Sequence, residues 1–295
     1  MGVRSVIHHI TNRGTMTNLK NNLRKIVPGP LWAILRSASW YMVDHLDVVT
    51  GRRDPLTPPA RLMFIGEGDY EEVGKEFLRY HADLGGLRPE MRVLDVGCGI
   101  GRMAAPLTSY LSASGSYEGF DIMAMGIDWC ARNISTRFPN FRFQHARIYN
   151  KMYDAGAQCR AADYVFPYRD SEFDYVFLTS VFTHMLKEDV AQYLSQIVRV
   201  LKPGGTCLST YFLLNPETER LFGSDPARNR CPHPYAGLMV ADPECPEQAV
   251  AYPEIAVRQL YALQGLRICE PIHYGSWCGR AEFLSYQDIV ISKKT

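Results

Sequence analysis

Short apolar runs alternate with helical periods through the middle of this chain. The runs Met91–Val96, Tyr117–Ile122 and Cys207–Leu213 are typical of buried strands. Before the last run, apolar side chains recur at helical spacing on one face: Val190, Tyr193, Leu194, Ile197, Val198 and Leu201. Gly204 is the predicted left-handed end of that helix. Strands that alternate with helices predict a parallel sheet with right-handed crossovers.

Further elements are predicted on both sides of this region. A helix is expected over Tyr70–Leu84, before a pair of glycines. Residues 214–252 are rich in proline and show no period, so we predict an irregular insert there, of the kind that is usually functional or mobile. The pattern then predicts a helix near Pro253–Leu263 and strands at Leu266–His273 and Ser285–Ser292.

The first strand contains an acid, Asp95, and ends in a glycine-rich turn. The turn is made of Gly97, Cys98, Gly99, Ile100 and Gly101. Such a turn lets the backbone approach a nucleotide-like ligand. Dinucleotide sites place a third glycine where this chain has Arg102. A carboxylate aimed into the turn would repel a pyrophosphate but suits a ligand that carries an ammonium group.

The pattern Asp95-x-Gly97-x-Gly99-x-Gly101 resembles the first signature of class I S-adenosylmethionine (SAM)-dependent methyltransferases. Further segments resemble the same family in order: Tyr117–Ile122, Phe173–Ser180 and Leu201–Thr206. The resemblance implies SAM as cofactor. It also implies a doubly wound, seven-stranded, mostly parallel α/β sheet of Rossmann-like type, in which the last two predicted strands form the closing antiparallel hairpin.

The resemblance also implies a set of cofactor contacts. The glycines and Cys98 would face the methionine and ribose, and Asp95 would hold the amino group. Asp121 would bind the ribose hydroxyls, with Ile122 against the adenine. Family members usually carry an acid soon after the third strand, but Arg147 follows the predicted strand Phe141–Ala146 here, so Asp163 is the expected adenine contact. Thr179 and Ser180 complete the expected cofactor residues.

The loop after the fourth strand would face the reactive methyl group. His184 is the only side chain of Thr179–Met185 whose pKa lies near neutrality, so it is the first candidate for a general base. The alternative is that His184 only caps or orients the next helix, and both interpretations stay open. His273 is the second candidate base.

A second cluster lies in the turn between the last two predicted strands. Tyr274 and Trp277 could stack on a sugar or aryl ring, and Arg280 could pair with an anionic group. We therefore predict substrate contacts from these three residues. The alternative is that this turn packs against the N-terminal arm.

Composition and charge exclude several functions. The chain is 46% hydrophobic and 21% charged with a net charge of +1, so we expect a globular protein without a nucleic-acid substrate. The eight cysteines form no Cys-x-x-Cys pair, which is typical of reduced thiols in a cytoplasmic protein. A zinc site at Cys231, His233 and Cys245 lacks a fourth ligand, so no metal is predicted.

The N-terminal segment differs in charge from the rest. It contains no acid before Asp44, and Leu31–Met42 reads as an amphipathic helix. We favour a lid over the substrate pocket; the alternatives are peripheral contact with an anionic membrane and a transit-like leader. The predicted organisation is an N-terminal arm over residues 1–80 and a methyltransferase domain over 81–295, with residues 214–252 as its substrate-side insert.

The function expected from the resemblance is SAM-dependent O-methylation of a small-molecule hydroxyl. A sugar, a glycolipid or a secondary metabolite would be the acceptor. Two alternatives stay open, namely N- or C-methylation of another metabolite and a non-catalytic SAM-binding regulatory or adaptor protein. Neither the acceptor nor the oligomeric state follows from the sequence.

Overall fold

A seven-stranded sheet organises the larger part of the chain in the computed structural model. The structure describes residues 44, 50, 51, 53–64, 68–151 and 154–295. The chain divides into two units, of which the first ends at Met63 and the second begins at Phe64. The sheet has the order β12-β13-β7-β6-β1-β2-β3. Its strands are β1 (Arg92–Val96), β2 (Ser116–Asp121), β3 (Phe141–His145), β6 (Phe173–Leu178), β7 (Leu201–Tyr211), β12 (Leu266–Ile268) and β13 (Asp288–Lys294).

The strand directions confirm the predicted fold class. Strands β3, β2, β1, β6 and β7 pair in parallel, and β13 lies antiparallel between β7 and β12. The main helices that connect them are α1 (Tyr70–Arg79), α2 (Ala104–Tyr110), α3 (Ala124–Cys130), α4 (Lys187–Val200) and α6 (Glu254–Leu263). Because parallel strands share one direction, the carboxyl ends of β1, β2 and β6 meet at one edge of the sheet.

Two predicted helices are close to the observed ones. Helix α1 begins after Asp69, whose carboxylate accepts two amide hydrogens, and it continues as a π-helical turn over Tyr80–Leu84. In α4 the helical period correctly selected Val190, Tyr193, Leu194 and Ile197 as buried, whereas Val198 is only half-buried. They pack into the main hydrophobic core.

Gly204 does not end helix α4, which is a correction to the sequence prediction. The helix ends at Val200, and Leu201 already pairs with Phe173 of β6. The next pair is Tyr175 with Thr206, so the residues between Leu201 and Thr206 bulge out of the ladder. Gly204 has a φ of 74° within this bulge, where a left-handed residue is needed to bring the chain back.

The insert after β7 is regular, contrary to the prediction of an irregular segment. It forms a four-stranded sheet of order β8-β11-β10-β9 and one helix, α5 (Pro216–Ser224). The strands are β8 (Leu213–Leu214), β9 (His233–Tyr235), β10 (Leu238–Val240) and β11 (Val250–Pro253). Strands this short give no period in the sequence. Short strands β4 (Ile148–Tyr149) and β5 (Cys159–Arg160) form a separate pair.

Asp288 ties the insert to the main sheet. Its side chain is fully buried at the start of β13. It accepts hydrogen bonds from the amides of Leu213 and Gly275 at 2.7 Å each, from the Trp277 indole at 2.7 Å and from Arg280 at 3.0 Å. Arg280 is itself almost completely buried. The first residue of the insert is thus fixed to the strand that closes the sheet.

The first unit is described over a short segment only. Asp44 accepts hydrogen bonds from the Ala60 amide at 2.7 Å and from Arg53 and Arg61. The predicted amphipathic helix at Leu31–Met42 lies outside the described residues. Within the described part of the chain, no helix combines the length and the apolar character that a bilayer crossing requires.

Replacing Asp288 should destabilise the fold strongly. Asp288→Asn removes the negative charge that faces buried Arg280. It also places an amide NH₂, which only donates, against backbone N–H groups that need an acceptor. We expect a loss of about 3–5 kcal/mol in the free energy of unfolding, measured by urea denaturation. The matched control is Asp128→Asn, because Asp128 forms an exposed ion pair with Arg132 at 3.8 Å; its effect should stay below about 0.5 kcal/mol. Equal effects of the two variants would contradict the role of Asp288.

Candidate functional site

A cavity of about 990 Å³ opens at the carboxyl edge of the sheet. Its floor comes from the ends of β1 and β2, and one side comes from the loop after β6. The lining residues from these elements include Asp95, Val96, Gly97, Cys98, Phe120, Asp121, Ile122, Met123, Thr179, Ser180, Val181, His184 and Met185. Most of the cofactor residues expected from the sequence therefore lie on one wall.

The glycine turn after β1 is held against the end of β2. The amides of Gly97 and Cys98 both donate to the Phe120 carbonyl, at 2.9 and 3.1 Å. Gly97 has a φ of 82°, and a Cβ at this position would collide with a methyl group of Val181. Only glycine satisfies both the backbone angle and the close approach. The turn can therefore present bare backbone to the cavity.

Asp95 is a buried carboxyl group on the cavity wall. The Tyr117 hydroxyl of the neighbouring strand donates to it at 2.6 Å. Burial raises the pKa of Asp95 to about 8, and the nearby Asp121 charge adds to the effect, although the Tyr117 hydrogen bond opposes it. A group of this kind favours a cationic partner, because such a partner stabilises the ionised form.

Asp121 links two backbone segments at the end of β2. One carboxylate oxygen accepts from the Gly99 amide at 2.8 Å, and the other accepts from the Met123 amide at 2.7 Å. Burial raises the pKa of Asp121, and these two amides oppose that rise. Each oxygen keeps a second lone pair, so Asp121 can still accept hydrogen bonds from ligand hydroxyls.

The start of the loop after β6 is strained and is tied to β7 and to the residue before β13. Ser180 has a φ of 62°, and its amide donates to the Thr210 hydroxyl at 2.7 Å. The Gln287 side-chain amide donates to the Ser180 hydroxyl at 2.8 Å. Next to it, the buried Thr179 hydroxyl has no hydrogen-bond partner among the described residues. Such an orphaned group in a cavity wall is suited to a ligand contact.

His184 lies half-buried in the same loop and contacts the insert. Its Nδ1 atom lies 3.0 Å from the Glu247 carbonyl oxygen. Because a carbonyl only accepts, Nδ1 carries the hydrogen in this bond, and the basic lone pair of the neutral ring is on Nε2. Burial lowers the pKa of His184 below its usual value, although hydrogen bonds to the backbone of Glu247 and Gln248 oppose this effect.

A second group of lining residues, called the insert wall below, was missed by the sequence analysis. They come from the end of β7, from the insert and from the segment before β13: Phe212, Arg230, Glu247, Ala249, Ser285, Tyr286 and Gln287. Strand β13 runs antiparallel to β7, with Asp288 opposite Tyr211. Residues before Asp288 therefore reach the same edge as residues after Tyr211. This topological rule, applied to the implied hairpin, could have identified Tyr286 and Gln287.

Asp163 and His273 are predicted site residues that do not line the cavity, and Gly99 and Gly101 of the glycine turn do not line it either. Asp163 is exposed and pairs with Arg160 at 3.1 Å. His273 is held by main-chain hydrogen bonds to Ile289 at the β13 edge, and burial lowers its pKa. The structure therefore brings neither Asp163 nor His273 to the wall that holds Asp95 and His184.

The predicted substrate cluster supports the cavity from behind and does not line it. Tyr274 donates to Glu254 at 2.9 Å, and the Arg280 guanidinium lies 4.7 Å from the Tyr274 ring centre. Trp277 is buried, and its ring centre lies 4.8 Å from that of Phe212, which does line the cavity. These contacts show that the cluster packs within the domain, against Glu254 and Phe212; none of them involves the N-terminal arm named in the alternative interpretation.

The cysteine cluster considered for zinc does not assemble. All eight cysteines are unpaired in the structure, and Cys231 is buried beside the Ala249 carbonyl. Within the described ranges, no three His, Cys, Asp or Glu side chains come together in a way that could hold a metal ion.

Comparison with known proteins gives matches over part of the chain. Residues 94–209 match a family model described as a methyltransferase domain. The chain is 29% identical over 154 residues, 52% of its length, to phosphoethanolamine N-methyltransferase 3 of Arabidopsis thaliana, of which 27% is covered. It is 33% identical over 94 residues, 31% of its length, to a probable cobalt-precorrin-6B C(15)-methyltransferase of Thermoplasma acidophilum, of which 39% is covered.

The fold has counterparts among solved structures. A SAM-dependent methyltransferase from Methanosarcina mazei aligns with a TM-score of 0.50 at 20% identity, covering 73% of this chain and 97% of that chain. This likeness concerns the fold. In sequence, the chain spans less than half the length of the two curated relatives.

Gly97 should tolerate no side chain. We expect Gly97→Ala to reduce the free energy of unfolding by more than about 2 kcal/mol, because φ strain and the clash with Val181 add together. Gly86→Ala is the control: its φ is 68°, but no atom lies within 4 Å of the added Cβ, so only the strain of about 1–2 kcal/mol applies. Thermal unfolding measures both. If the two variants lose the same stability, the close approach of Val181 has no energetic effect.

Proposed function

Residues 94–209 of this chain belong to the class I SAM-dependent methyltransferase family, whose cofactor is SAM, and we propose that the protein transfers a methyl group to a small-molecule acceptor. The observation that carries this proposal is the shared wall of Asp95, Gly97, Asp121 and His184 in one cavity. When bound, SAM would supply an electrophilic methyl group on a sulfonium.

The cavity wall fits the charge and shape of this cofactor. Asp95 would bind the ammonium group, and the bare backbone at Gly97 would let the methionine portion approach. Asp121 would accept hydrogen bonds from the ribose hydroxyls while it keeps its two amide contacts. Ile122 lines the same wall and would contact the adenine face. Cys98, Thr179 and Ser180 also line the cavity and complete the proposed contacts, whereas Gly99 and Gly101 would shape the turn behind them.

The cavity has room for a second ligand. Pockets for drug-sized ligands commonly measure about 300–1,000 Å³. At about 990 Å³ this cavity lies at the upper end of that range. The wall with Asp95 and Asp121 would then hold the methyl donor, and the insert wall would hold the acceptor. This division supports a reaction between two bound molecules.

We propose a hydroxyl acceptor with His184 as its general base. The ring is neutral because burial lowers its pKa, so it can take a proton from a hydroxyl. The idea of a saccharide acceptor loses its motivation, because Tyr274, Trp277 and Arg280 belong to the supporting cluster. Phe212, Tyr286 and Arg230 of the insert wall would contact the acceptor in their place.

Nitrogen methylation is the second candidate. The hydrogen bond from His184 to the Glu247 carbonyl also fits a role in which the histidine only anchors the insert. An amine acceptor that reacts in its neutral form needs no base at this position. The two curated relatives are named for nitrogen and carbon acceptors, so the family alone does not select oxygen.

Cofactor binding should depend on the ionisation of Asp95. We expect the affinity for S-adenosylhomocysteine to rise between pH 6 and 8, because Asp95 must lose its proton before it pairs with an ammonium group. Above pH 8 the gain should end as the ligand amine deprotonates. Asp95→Asn should weaken binding about tenfold or more and abolish the pH dependence, measured by calorimetry. Tyr117→Phe should shift the dependence to higher pH, because it removes the donor that favours the carboxylate.

Asp128→Asn is the matched control for this experiment. Asp128 pairs with Arg132 on the surface and neither residue lines the cavity, so its replacement should change the affinity less than twofold. Failure of the folded wild-type protein to bind S-adenosylhomocysteine at any pH would overturn the proposed function itself.

His184 variants should separate the base from the anchor. His184→Asn can still donate to the Glu247 carbonyl but offers no basic nitrogen, whereas His184→Ala loses both. With an acceptor found by screening for S-adenosylhomocysteine release, the base role predicts that both variants lose about 100-fold or more in kcat. The anchor role predicts that the Asn variant keeps near-normal turnover, and that result would favour an acceptor needing no base here.

A further inference from the structure

The insert presents one carboxylate to the cavity, that of Glu247. This residue lies in the 3-10 turn Pro246–Gln248, and the backbone of the turn is fixed by the Gln248 amide, which donates to the Cys245 carbonyl at 3.0 Å. The Glu247 carbonyl receives the His184 hydrogen bond. The side chain therefore starts from a rigid position next to the loop that would face the methyl group.

The Glu247 carboxylate differs from the other buried acids of this region. Both oxygens of Asp121 and both oxygens of Asp288 accept hydrogen bonds from protein groups. Within the part of the chain that the structure describes, Glu247 Oε2 is buried and has no hydrogen-bond partner. A buried carboxylate oxygen without a hydrogen-bond partner lowers the stability of the fold. Its presence in a cavity wall therefore requires an explanation.

We propose that Glu247 binds the methyl acceptor, by accepting a hydrogen bond from a hydroxyl or ammonium group that the acceptor carries close to the methylated atom. This inference rests on the proposed function, because it assigns the insert wall to the acceptor. Hydroxyl and ammonium groups share the property that matters here: each donates a hydrogen bond, and a carboxylate only accepts one. The insert would thus select polar, donor-bearing acceptors.

A second acid close to Glu247 favours a positively charged donor over an anionic group at this position. Asp189 also lines the cavity. Burial raises the pKa of Asp189, and the charges of Glu188 and Glu247 add to that rise, so the two cavity acids are close enough to interact. Two neighbouring carboxylates stabilise a cation between them and repel an anion.

Three probes with one aromatic body test this assignment. Benzylamine, benzyl alcohol and benzoate differ in the donor or charge that they present, and Phe212 and Tyr286 offer an aromatic wall for the shared ring. Each probe is titrated by ligand-observed NMR into protein that is saturated with S-adenosylhomocysteine. The proteins are the wild type, Glu247→Gln, Glu247→Ala and the control Glu244→Gln, which alters an exposed acid of the same insert.

We expect benzylamine to bind the wild type and to lose about tenfold or more in affinity in both Glu247 variants, because a hydrogen bond to a charged group is lost. Benzyl alcohol should keep its affinity in Glu247→Gln, whose amide oxygen still accepts, and lose it in Glu247→Ala. Benzoate should bind both Glu247 variants at least as tightly as it binds the wild type. Glu244→Gln should behave as the wild type with all probes.

The outcomes separate this inference from the proposed function. If only one of benzylamine and benzyl alcohol depends on Glu247, the assignment holds and that probe identifies the donor. If neither binds, or if both bind Glu247→Ala within twofold of the wild type, the assignment is overturned while saturation by S-adenosylhomocysteine still supports the proposed function. Glu247→Gln keeps the shape of the side chain, and its thermal unfolding verifies that it folds.

Discussion

One close approach of two backbone segments creates the site. Strands β1 and β6 are paired neighbours, with Asp95 opposite Phe177, so the loops that leave them must share one space. Gly97 resolves the conflict with Val181, because it lacks a Cβ and adopts a left-handed angle. The turn then folds back until the Gly99 amide reaches Asp121. Asp95, Asp121 and Thr179 face a common cavity as a result.

The second constraint comes from the antiparallel strand that closes the sheet. Because β13 lies between β7 and β12, its first residue adjoins the point where the chain leaves β7 for the insert. Asp288 occupies that position and satisfies the Leu213 amide, so the insert starts from a fixed place. At the other end of the insert, the Tyr252 hydroxyl donates to the Met185 carbonyl at 2.8 Å. This bond fixes that end of the insert to the loop after β6. Both walls of the cavity are therefore held by buried hydrogen bonds.

The parts of the molecule that could be predicted from the sequence are those with local signals. The buried runs, the glycine turn and the acids at Asp95 and Asp121 each depend on residues within a few positions of one another. They led to the correct sheet and to a set of residues that the structure brings together at one cavity. The insert could not be predicted in this way, because its strands have only two to four residues and therefore show no period in the sequence. Its helix had a readable signal, since Asn215 caps it and Pro216 follows.

Residue type alone misled the analysis at the second cluster. Trp277 and Arg280 have the side chains of a binding site, but both are buried in contacts with Phe212, Glu217 and Asp288. Sequence does not distinguish an arginine that meets a ligand from one whose partners lie far along the chain. Conversely, Glu247 gave no signal, because its position beside His184 depends on the fold of the whole insert.

The electrostatics of the cavity suit a positively charged ligand. Asp95 and Asp121 are desolvated acids, and each loses stability on ionisation unless a cation or a set of donors compensates it. A protonated histidine in the same wall could compensate them internally, but burial keeps His184 neutral. Arg102, Arg160 and Arg230 also line the cavity, so the preference for a cationic ligand rests on the burial of Asp95 and Asp121 and not on the net charge of the lining. A neutral imidazole beside these two acids is also the form that can accept a proton, so one pattern of burial prepares both the binding of a cation and the removal of a proton.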